Sequence, residues 1–261
     1  MAGERLVINN CGIYMRKYCA FDEGALIDVE PSHIKSNTLA LMRDKKKTKF
    51  EALLDEIIHE QRTDRFSYGF AYARGPRAAD DVLGWEAFFK YQGYENHRDN
   101  ASKMKDWLLY KNDRKNTLRL MGPPKTGKTM LANALTDPFV CGIVAKNAMA
   151  ALNTFAYENC VNKTVVLFEE PLFMTTNAGD MLSLMAGNRI QVPVKYKAPV
   201  TVQHTPMVIT TNFMDFGQGK LPERTEQAMA SRCETFKFLR PFNPTRTLTS
   251  GALYSYINKH S

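Results

Sequence analysis

The sequence contains no apolar run that approaches the roughly 18 residues needed for a membrane-spanning helix. Its N-terminus also lacks the apolar core of a signal peptide. We therefore expect neither membrane insertion nor secretion. Internal repeats and low-complexity tracts are absent from the sequence as well.

Cysteine and histidine are scarce, and neither is spaced as metal ligands are. The five cysteines include no C-x-x-C pair, and the five histidines are scattered along the chain. The pattern indicates neither a disulfide framework nor a zinc site, so we interpret the cysteines as reduced thiols. This interpretation predicts a reducing compartment, the cytosol or the nucleus. The cysteines are Cys11, Cys19, Cys141, Cys160 and Cys233.

The length and charge of the chain limit the number of domains and the class of partner that we expect. The 261 residues, of which 44% are hydrophobic, suffice for one large domain or for one domain with a smaller helical attachment. Lysine and arginine number 35 against 27 acidic residues, which gives a formal charge of +8. That excess favours a polyanionic partner, although many basic soluble proteins bind no nucleic acid.

The most informative stretch is Gly122–Thr129, which matches the phosphate-binding loop pattern G-x-x-x-x-G-K-[ST] in full. Its glycines allow a tight loop whose backbone N–H groups point at phosphate oxygens. We expect Lys128 to reach the β- and γ-phosphates and the Thr129 hydroxyl to ligate Mg²⁺. The predicted nucleotide-binding residues are Gly122, Pro123, Pro124, Lys125, Thr126, Gly127, Lys128 and Thr129.

The surroundings of this loop support the match. A short strand pattern at 116–121 precedes the loop, and an apolar helix pattern at 130–135 follows it. Strand, loop and helix in this order are what a phosphate-binding loop requires, whereas a surface loop rich in glycine and lysine is the alternative.

Two carboxylates follow the apolar strand pattern Val165–Phe168 directly. Because the carboxyl ends of parallel strands face the ligand, we predict that Glu169 holds Mg²⁺, directly or through water. We predict that Glu170 orients and deprotonates the attacking water. A solvated strand end with two ordinary acids is the alternative interpretation.

A second apolar strand pattern, at 206–211, ends in Asn212. Its amide can hydrogen-bond both the attacking water and a γ-phosphate oxygen, so it can detect whether that phosphate is present. Without the other motifs, an asparagine after a strand is usually a turn former.

The rest of the chain predicts an α/β fold. Apolar positions at three-to-four spacing predict two amphipathic helices between Ser36 and Arg62, separated by a basic run at 43–49, and further helices over 79–91 and 101–109. Strands are predicted over 117–121, 165–168, 206–210 and 234–239. They alternate with helices, which is typical of a parallel sheet. We divide the chain into an N-terminal helical region, 1–110 with an approximate boundary, and a nucleotide-binding core, 111–261.

Taken in order, Gly122–Thr129, Phe155–Glu170 and Gly187–Asn212 resemble the A, B, B′ and C motifs of superfamily 3 helicases, most of all those of the parvovirus nonstructural Rep/NS1 proteins. The resemblance runs from about Ser36 to about Leu239. It implies an AAA+ type P-loop NTPase core with a parallel sheet, preceded by a small helical region. It also implies an ATP-dependent DNA helicase that hydrolyses ATP, forms a ring, typically a hexamer, around single-stranded DNA and replicates a viral genome in the host cell nucleus.

The resemblance places a β-hairpin at 190–202 and puts the DNA-binding residues Lys195 and Lys197 at its tip. Two lysines separated by one residue project from the same face of an extended arm. A ring of subunits would stack them into a cationic collar for the phosphate backbone. An exposed edge hairpin kept soluble by lysines is the alternative.

The segment 228–238 resembles the family stretch that holds the arginine finger. This makes Arg232 the candidate to reach the γ-phosphate of a neighbouring subunit, with Arg224 as its competitor. A surface arginine without a catalytic part is the alternative. The helices between Ser36 and Arg62 are similar to the family's oligomerisation helices, and a plain bundle capping the core is the other interpretation.

Some family features are missing or altered. Full-length members usually carry an origin-nicking nuclease with a His-hydrophobic-His motif, and no such pair of histidines occurs here. We therefore expect a helicase portion without nicking activity. Pro171 follows Glu170 directly, and because proline fixes φ and removes a donor, the loop after the acids can be shaped differently.

Two other classes of function stay open at this point. One is a scaffold that binds ATP and nucleic acid without turnover, although every catalytic residue type is present. The other is a small-molecule kinase, which explains the phosphate loop but neither the hairpin lysines nor Asn212. The leading hypothesis predicts ATP and Mg²⁺ as cofactors, single-stranded DNA and copies of the chain as partners, and no membrane association.

Overall fold

The computed structural model of the chain describes residues 11–22, 25–26, 47–112, 114–145 and 155–261. The strands are β1 (Thr117–Met121), β2 (Cys141–Ala145), β3 (Val165–Glu169), β4 (Ile190–Val194), β5 (Lys197–Val202), β6 (Met207–Thr211) and β7 (Cys233–Lys237). Five of them form one parallel sheet in the order β2-β3-β6-β1-β7, and β4 and β5 form a separate antiparallel hairpin. The chain is therefore an α/β protein with a parallel sheet, as predicted.

Helices precede and surround the sheet. They are α1 (Lys47–Thr63), α2 (Arg65–Tyr72), α3 (Ala79–Tyr91), α4 (His97–Leu108), α5 (Lys128–Thr136), α6 (Ala178–Met185), α7 (Glu223–Ala230) and α8 (Ser250–His260). Several begin at a side-chain cap: Asp64 accepts from the Ser67 amide, and Asn96 accepts from the Asp99 amide. Among the described residues, no helix is long and apolar enough to cross a bilayer.

The sheet aligns the ends of its strands. β1 lies between β6 and β7, and all five of its residues are buried, as expected for a parallel strand covered on both faces. Met121 is opposite Thr211 on one side and Lys237 on the other. The carboxyl ends of β1, β6 and β7 therefore meet at one edge, where the loop after β1 begins.

One hydrophobic cluster joins the early helices to the sheet. The predicted core anchors Trp85, Phe88, Phe89 and Trp107 are at most 1% exposed, which confirms them. Phe89 stacks on Tyr256 of the C-terminal helix α8, with ring centroids 5.2 Å apart. Because helices from both sides of residue 110 share this core with β1 and β7, the division into two regions stays a prediction.

The predicted elements agree in type with those observed, and most differences lie at their ends. α3 has the predicted bounds, whereas α4 begins four residues earlier because Asn96 caps it. The sequence analysis missed one strand, β2, and four helices, α2, α6, α7 and α8. The first helix predicted after Ser36 lies outside the described residues. The basic run was expected to separate two helices up to Lys49, but α1 already includes residues 47–49.

Candidate nucleotide site

The loop after β1 has a backbone shape that requires glycine at two positions. Gly122 has a φ of 146° and Gly127 a φ of 92°. A Cβ on Gly122 would lie 1.8 Å from the carbonyl oxygen of Phe238, and one on Gly127 would lie 2.7 Å from the ring of Phe88. The loop is therefore built closely against the end of β7 and against α3.

Residues distant in sequence hold this loop in place. The Phe242 amide donates to the Lys125 carbonyl over 2.8 Å, and the Gln92 side chain donates to the Thr126 carbonyl over 3.2 Å. Within the loop, the Thr126 hydroxyl donates to the Pro123 carbonyl at 2.9 Å. The phosphate-loop pattern gives no signal for Gln92 or Phe242, so the sequence analysis missed both supports.

Lys128 begins α5 and bends back over the loop. Its Nζ donates to the Pro123 carbonyl at 2.7 Å, and the residue is 6% exposed. Burial lowers the pKa of Lys128, and the nearby charge of Glu170 opposes that shift. The first amides of α5 have no intrahelical acceptors, so the same helix end offers N–H donors to an anion.

The two carboxylates stand at the end of β3. Glu169 is the last residue of the strand, and Glu170 follows it with a φ of 45°, in the left-handed region that is costly for a residue with a Cβ. The Glu170 amide donates to the Thr210 carbonyl at 2.9 Å, which fixes the acid against β6. The Asn212 side-chain amide donates to the Glu170 carboxylate.

A cavity of about 380 Å³ lies between these groups. Its lining consists of Pro124, Lys125, Lys128, Thr129, Glu169, Glu170, Thr210 and Asn212. All but Thr210 were predicted from the sequence. Thr210 could have been predicted from the sequence. Alternate residues of an extended chain share a face, and Thr210 is two positions before Asn212.

The groups around the cavity fit a nucleoside triphosphate with a magnesium ion. The glycines leave space that a Cβ would fill, so the loop backbone can approach phosphates closely. The Thr129 hydroxyl and the Glu169 carboxylate supply oxygen ligands, which Mg²⁺ prefers. A volume of this size is also within the range of small-molecule sites.

The hairpin is present, but one expectation about it was wrong. Val194 pairs with Lys197, so Lys195 and Tyr196 form a two-residue turn, and the lysines flank its exposed Tyr196 instead of sharing one face of an extended arm. The Lys195 amide donates to the Glu158 carboxylate at 3.3 Å. The assignment of Lys195 and Lys197 to DNA binding stays a prediction.

Neither candidate arginine finger lies in the cavity of its own chain. Arg232 directly precedes β7, at the edge of the sheet opposite to the phosphate loop, and its guanidinium donates to the Ala228 carbonyl. A five-residue strand is about 16 Å long. The length of β7 therefore separates Arg232 from the end of the sheet where the phosphate loop lies. Arg224 is exposed on α7. The structure thus brings together Lys128, Thr129, the two acids and Asn212, and it leaves the arginines and the hairpin apart.

A loop of this shape between a parallel strand and a helix, with acids at the end of a neighbouring strand, defines a P-loop NTPase. Solved structures share the fold. The JCV helicase matches with a TM-score of 0.53 and 16% identity over 89% of this chain and 77% of that chain. The C-terminal region of NrS-1 matches with a TM-score of 0.50 and 12% identity over 72% of this chain and 47% of that chain. This chain therefore shares the fold of the JCV helicase.

Sequence comparison narrows this class to a family. Residues 86–215, half of the chain, match the family described as Parvovirus non-structural protein NS1, and the chain belongs to that family. Protein Rep52 of adeno-associated virus 2 is 30% identical over 145 residues, which cover 54% of this chain and 35% of Rep52. Initiator protein NS1 of human parvovirus B19 is 33% identical over 107 residues, 41% of this chain and 15% of that protein.

Relatives outside the parvoviruses match as well. Replication protein E1 of Mastomys natalensis papillomavirus is 32% identical over 161 residues, which cover 61% of this chain and 25% of E1. The matched part of the chain spans about a third or less of the length of each of these relatives. The chain is thus related to viral replication initiators and helicases.

Proposed function

We propose that this chain is an ATP-dependent DNA helicase of superfamily 3 that hydrolyses ATP at subunit interfaces and moves along single-stranded DNA during viral genome replication. One observation carries the proposal: Lys128, Thr129, Glu169, Glu170 and Asn212 surround a single cavity at the carboxyl edge of the sheet. Phosphate binding, metal binding and water activation are the three tasks that ATP hydrolysis requires.

Each side chain has a role that follows from its place. The loop amides and Lys128 bind the phosphates, and Thr129 and Glu169 hold Mg²⁺, which neutralises phosphate charge when bound. Glu170 accepts the proton of the attacking water. Asn212 already contacts the Glu170 carboxylate, so it can hold that group in line with the water and exchange part of its bonding for a γ-phosphate oxygen.

The remaining roles need more than one copy of the chain. Arg232 lies at the far edge of the sheet, so it can serve a nucleotide only in a neighbouring subunit, as an AAA+ type ring would arrange it. The hairpin tip, with Lys195 and Lys197, is the surface that we assign to the DNA backbone. We place the residues up to about 110 in subunit association, a hexamer as the assembly and the host cell nucleus as the compartment.

Steady-state ATP hydrolysis, measured over a protein dilution series with and without single-stranded DNA, tests the proposal. We expect turnover that rises steeply with protein concentration and is stimulated by DNA. K128A should abolish hydrolysis without unfolding the chain, whereas K111A, at an exposed lysine paired with Asp106, should behave as the wild type. Hydrolysis that survives in K128A, or no hydrolysis in the wild type, would contradict the assignment.

A further inference from the structure

Arg119 is a buried cation on a strand beside the nucleotide site. It lies in the middle of β1 and is 6% exposed. Its Nη2 donates to two main-chain carbonyls, that of Phe213 at 3.2 Å and that of Met214 at 2.7 Å. These two residues come directly after Asn212. The guanidinium is therefore hydrogen-bonded to the main chain immediately C-terminal to the predicted phosphate-sensing amide.

The environment of the guanidinium is costly for an arginine. Its Nε is buried without a hydrogen-bond partner in the part of the chain that the structure describes. A cation–π contact, with Cζ 3.9 Å from the ring centre of Phe216, offsets only part of the cost of burial. Burial lowers the pKa of Arg119, and the charges of Glu226 and Asp215 act in the opposite direction. A buried donor without a partner costs free energy, so packing alone would be served better by an apolar side chain.

The segment behind Asn212 is held from three directions. Arg119 holds its carbonyls from β1, and the Thr211 hydroxyl accepts from the Phe213 amide at 3.1 Å. From α7, the Glu226 carboxylate accepts from the amides of Phe216 at 2.8 Å and Gly217 at 2.7 Å. The main chain after Asn212 therefore has little freedom to rotate.

We propose that Arg119 is a positioning residue for ATP hydrolysis, which fixes the main chain after Asn212 and so holds the Asn212 amide on the Glu170 carboxylate. The inference rests on the proposed function, because it assumes that this amide contributes to hydrolysis. A displacement of about 1 Å in such a group can cost on the order of a hundredfold in rate. Substrate binding depends on the phosphate loop, whereas the hydrogen bonds of the Arg119 side chain go to Phe213 and Met214.

The variant R119M tests the inference because it keeps an unbranched side chain up to about the position of Nε and removes the donors. Arg65 provides a matched control: it is 8% exposed and donates to two carbonyls, those of Thr164 at 3.1 Å and His204 at 3.0 Å, at the opposite edge of the sheet. R119M should lower kcat by roughly tenfold to a hundredfold at an unchanged KM for ATP. R119K, which restores a donor, should recover part of kcat, and R65M should lower the melting temperature at an unchanged kcat.

A second readout does not depend on hydrolysis. In hydrogen–deuterium exchange, R119M should raise the exchange of residues 212–217, and R65M should leave that segment as in the wild type. Wild-type kcat in R119M would overturn the inference while the proposed function stands. Absence of hydrolysis in the wild type would overturn the proposed function, and exchange at 212–217 would then decide whether Arg119 holds the segment. If R119M does not fold, F216L, which shortens the contact beneath the guanidinium, should lower kcat, and an unchanged kcat would count against the inference.

Discussion

Similar polar residues have different roles at the two ends of the parallel strands, which we call the amino edge and the carboxyl edge of the sheet. At the amino edge, the Gln61 side chain accepts from the Val140 amide at 3.0 Å and from the Thr164 hydroxyl at 2.6 Å. Asn116 donates to the carbonyls of Leu184 at 3.1 Å and Thr205 at 2.7 Å. These bonds join helices α1 and α6 to the residues just before the strands, and both Gln61 and Asn116 are fully buried.

At the carboxyl edge, the polar groups face a cavity. Glu170 and Asn212 contact each other, and Lys128 donates to a loop carbonyl that a phosphate can replace. Glu170 at this edge has a φ of 45°, in the region that is strained for a residue with a Cβ. The difference teaches that residue type does not distinguish a structural from a functional polar group in this fold, whereas its position along the strand does.

The sharpest test of this contrast compares a glutamate from each edge. E170Q removes the predicted base and should lower hydrolysis by at least about a hundredfold while ATP binding persists. E234Q, near the amino end of β7, weakens partly exposed ion pairs with Lys103 and Lys115, so it should cost less than about 1 kcal/mol of stability and leave hydrolysis unchanged. Single-turnover hydrolysis and binding of a fluorescent ATP analogue measure the two effects.

That contrast would fail in either of two ways. Comparable rate losses in E170Q and E234Q would show that both edges matter for chemistry. Near-normal hydrolysis by E170Q would remove the base assignment, and Glu169 would then be the carboxylate to substitute.

Substitution of Asn116 or Asn212, one asparagine from each edge, should give the next largest effects on stability and hydrolysis. N116A leaves buried carbonyls without a donor and should lower the free energy of unfolding by about 2–4 kcal/mol, with normal hydrolysis per folded molecule. N212A should leave the stability nearly unchanged and reduce hydrolysis by roughly tenfold to a hundredfold. Chemical denaturation and ATPase assays on both variants check this, and a variant that loses both properties would break the separation of the edges.

Arg232 lies at the amino edge and yet is predicted to act in catalysis, so it is the exception that the contrast must explain. R232A and K128A should each hydrolyse ATP poorly. If Arg232 acts on a neighbouring subunit, a mixture should regain activity, because an R232A subunit can meet the intact arginine of a K128A subunit. Titration of one inactive variant into the other measures this recovery. A mixture as inactive as its components would show that Arg232 is not the arginine finger, and R224A would be the next variant to test.

Much of the carboxyl edge could be predicted from the sequence because local patterns encode it. The phosphate loop and the acids after β3 are contiguous motifs. Of the strands that carry them, β1 alternates apolar and polar residues and β3 is a continuous apolar run up to Phe168. The supports of the loop could not be predicted, since Gln92 and Phe242 reach it from positions distant in the sequence. β2 was missed because Cys141–Ala145 is short and includes a glycine, and tertiary pairing with β3 decides it.

The geometry of the hairpin tip shows a different limit. The alternation rule placed Lys195 and Lys197 on one face because it assumes an extended chain, and a turn between them removes that assumption. The turn depends on Tyr196 adopting a φ of 60°, a conformation for which tyrosine carries no sequence signal.

The smallest effect is expected at this tip, and it separates DNA contact from chemistry. K195A and K197A should each reduce the slope of log affinity for single-stranded DNA against log salt concentration by about 1, if each lysine contacts one phosphate. R189A, at the base of the hairpin and bonded to Gln203, is the matched control and should leave the slope unchanged. Hydrolysis without DNA should be normal in all three variants, because the tip contributes nothing to the cavity. An unchanged slope in both lysine variants would move the DNA contact away from the hairpin, whereas a loss of DNA-independent hydrolysis would show that the tip and the catalytic edge are not separate parts.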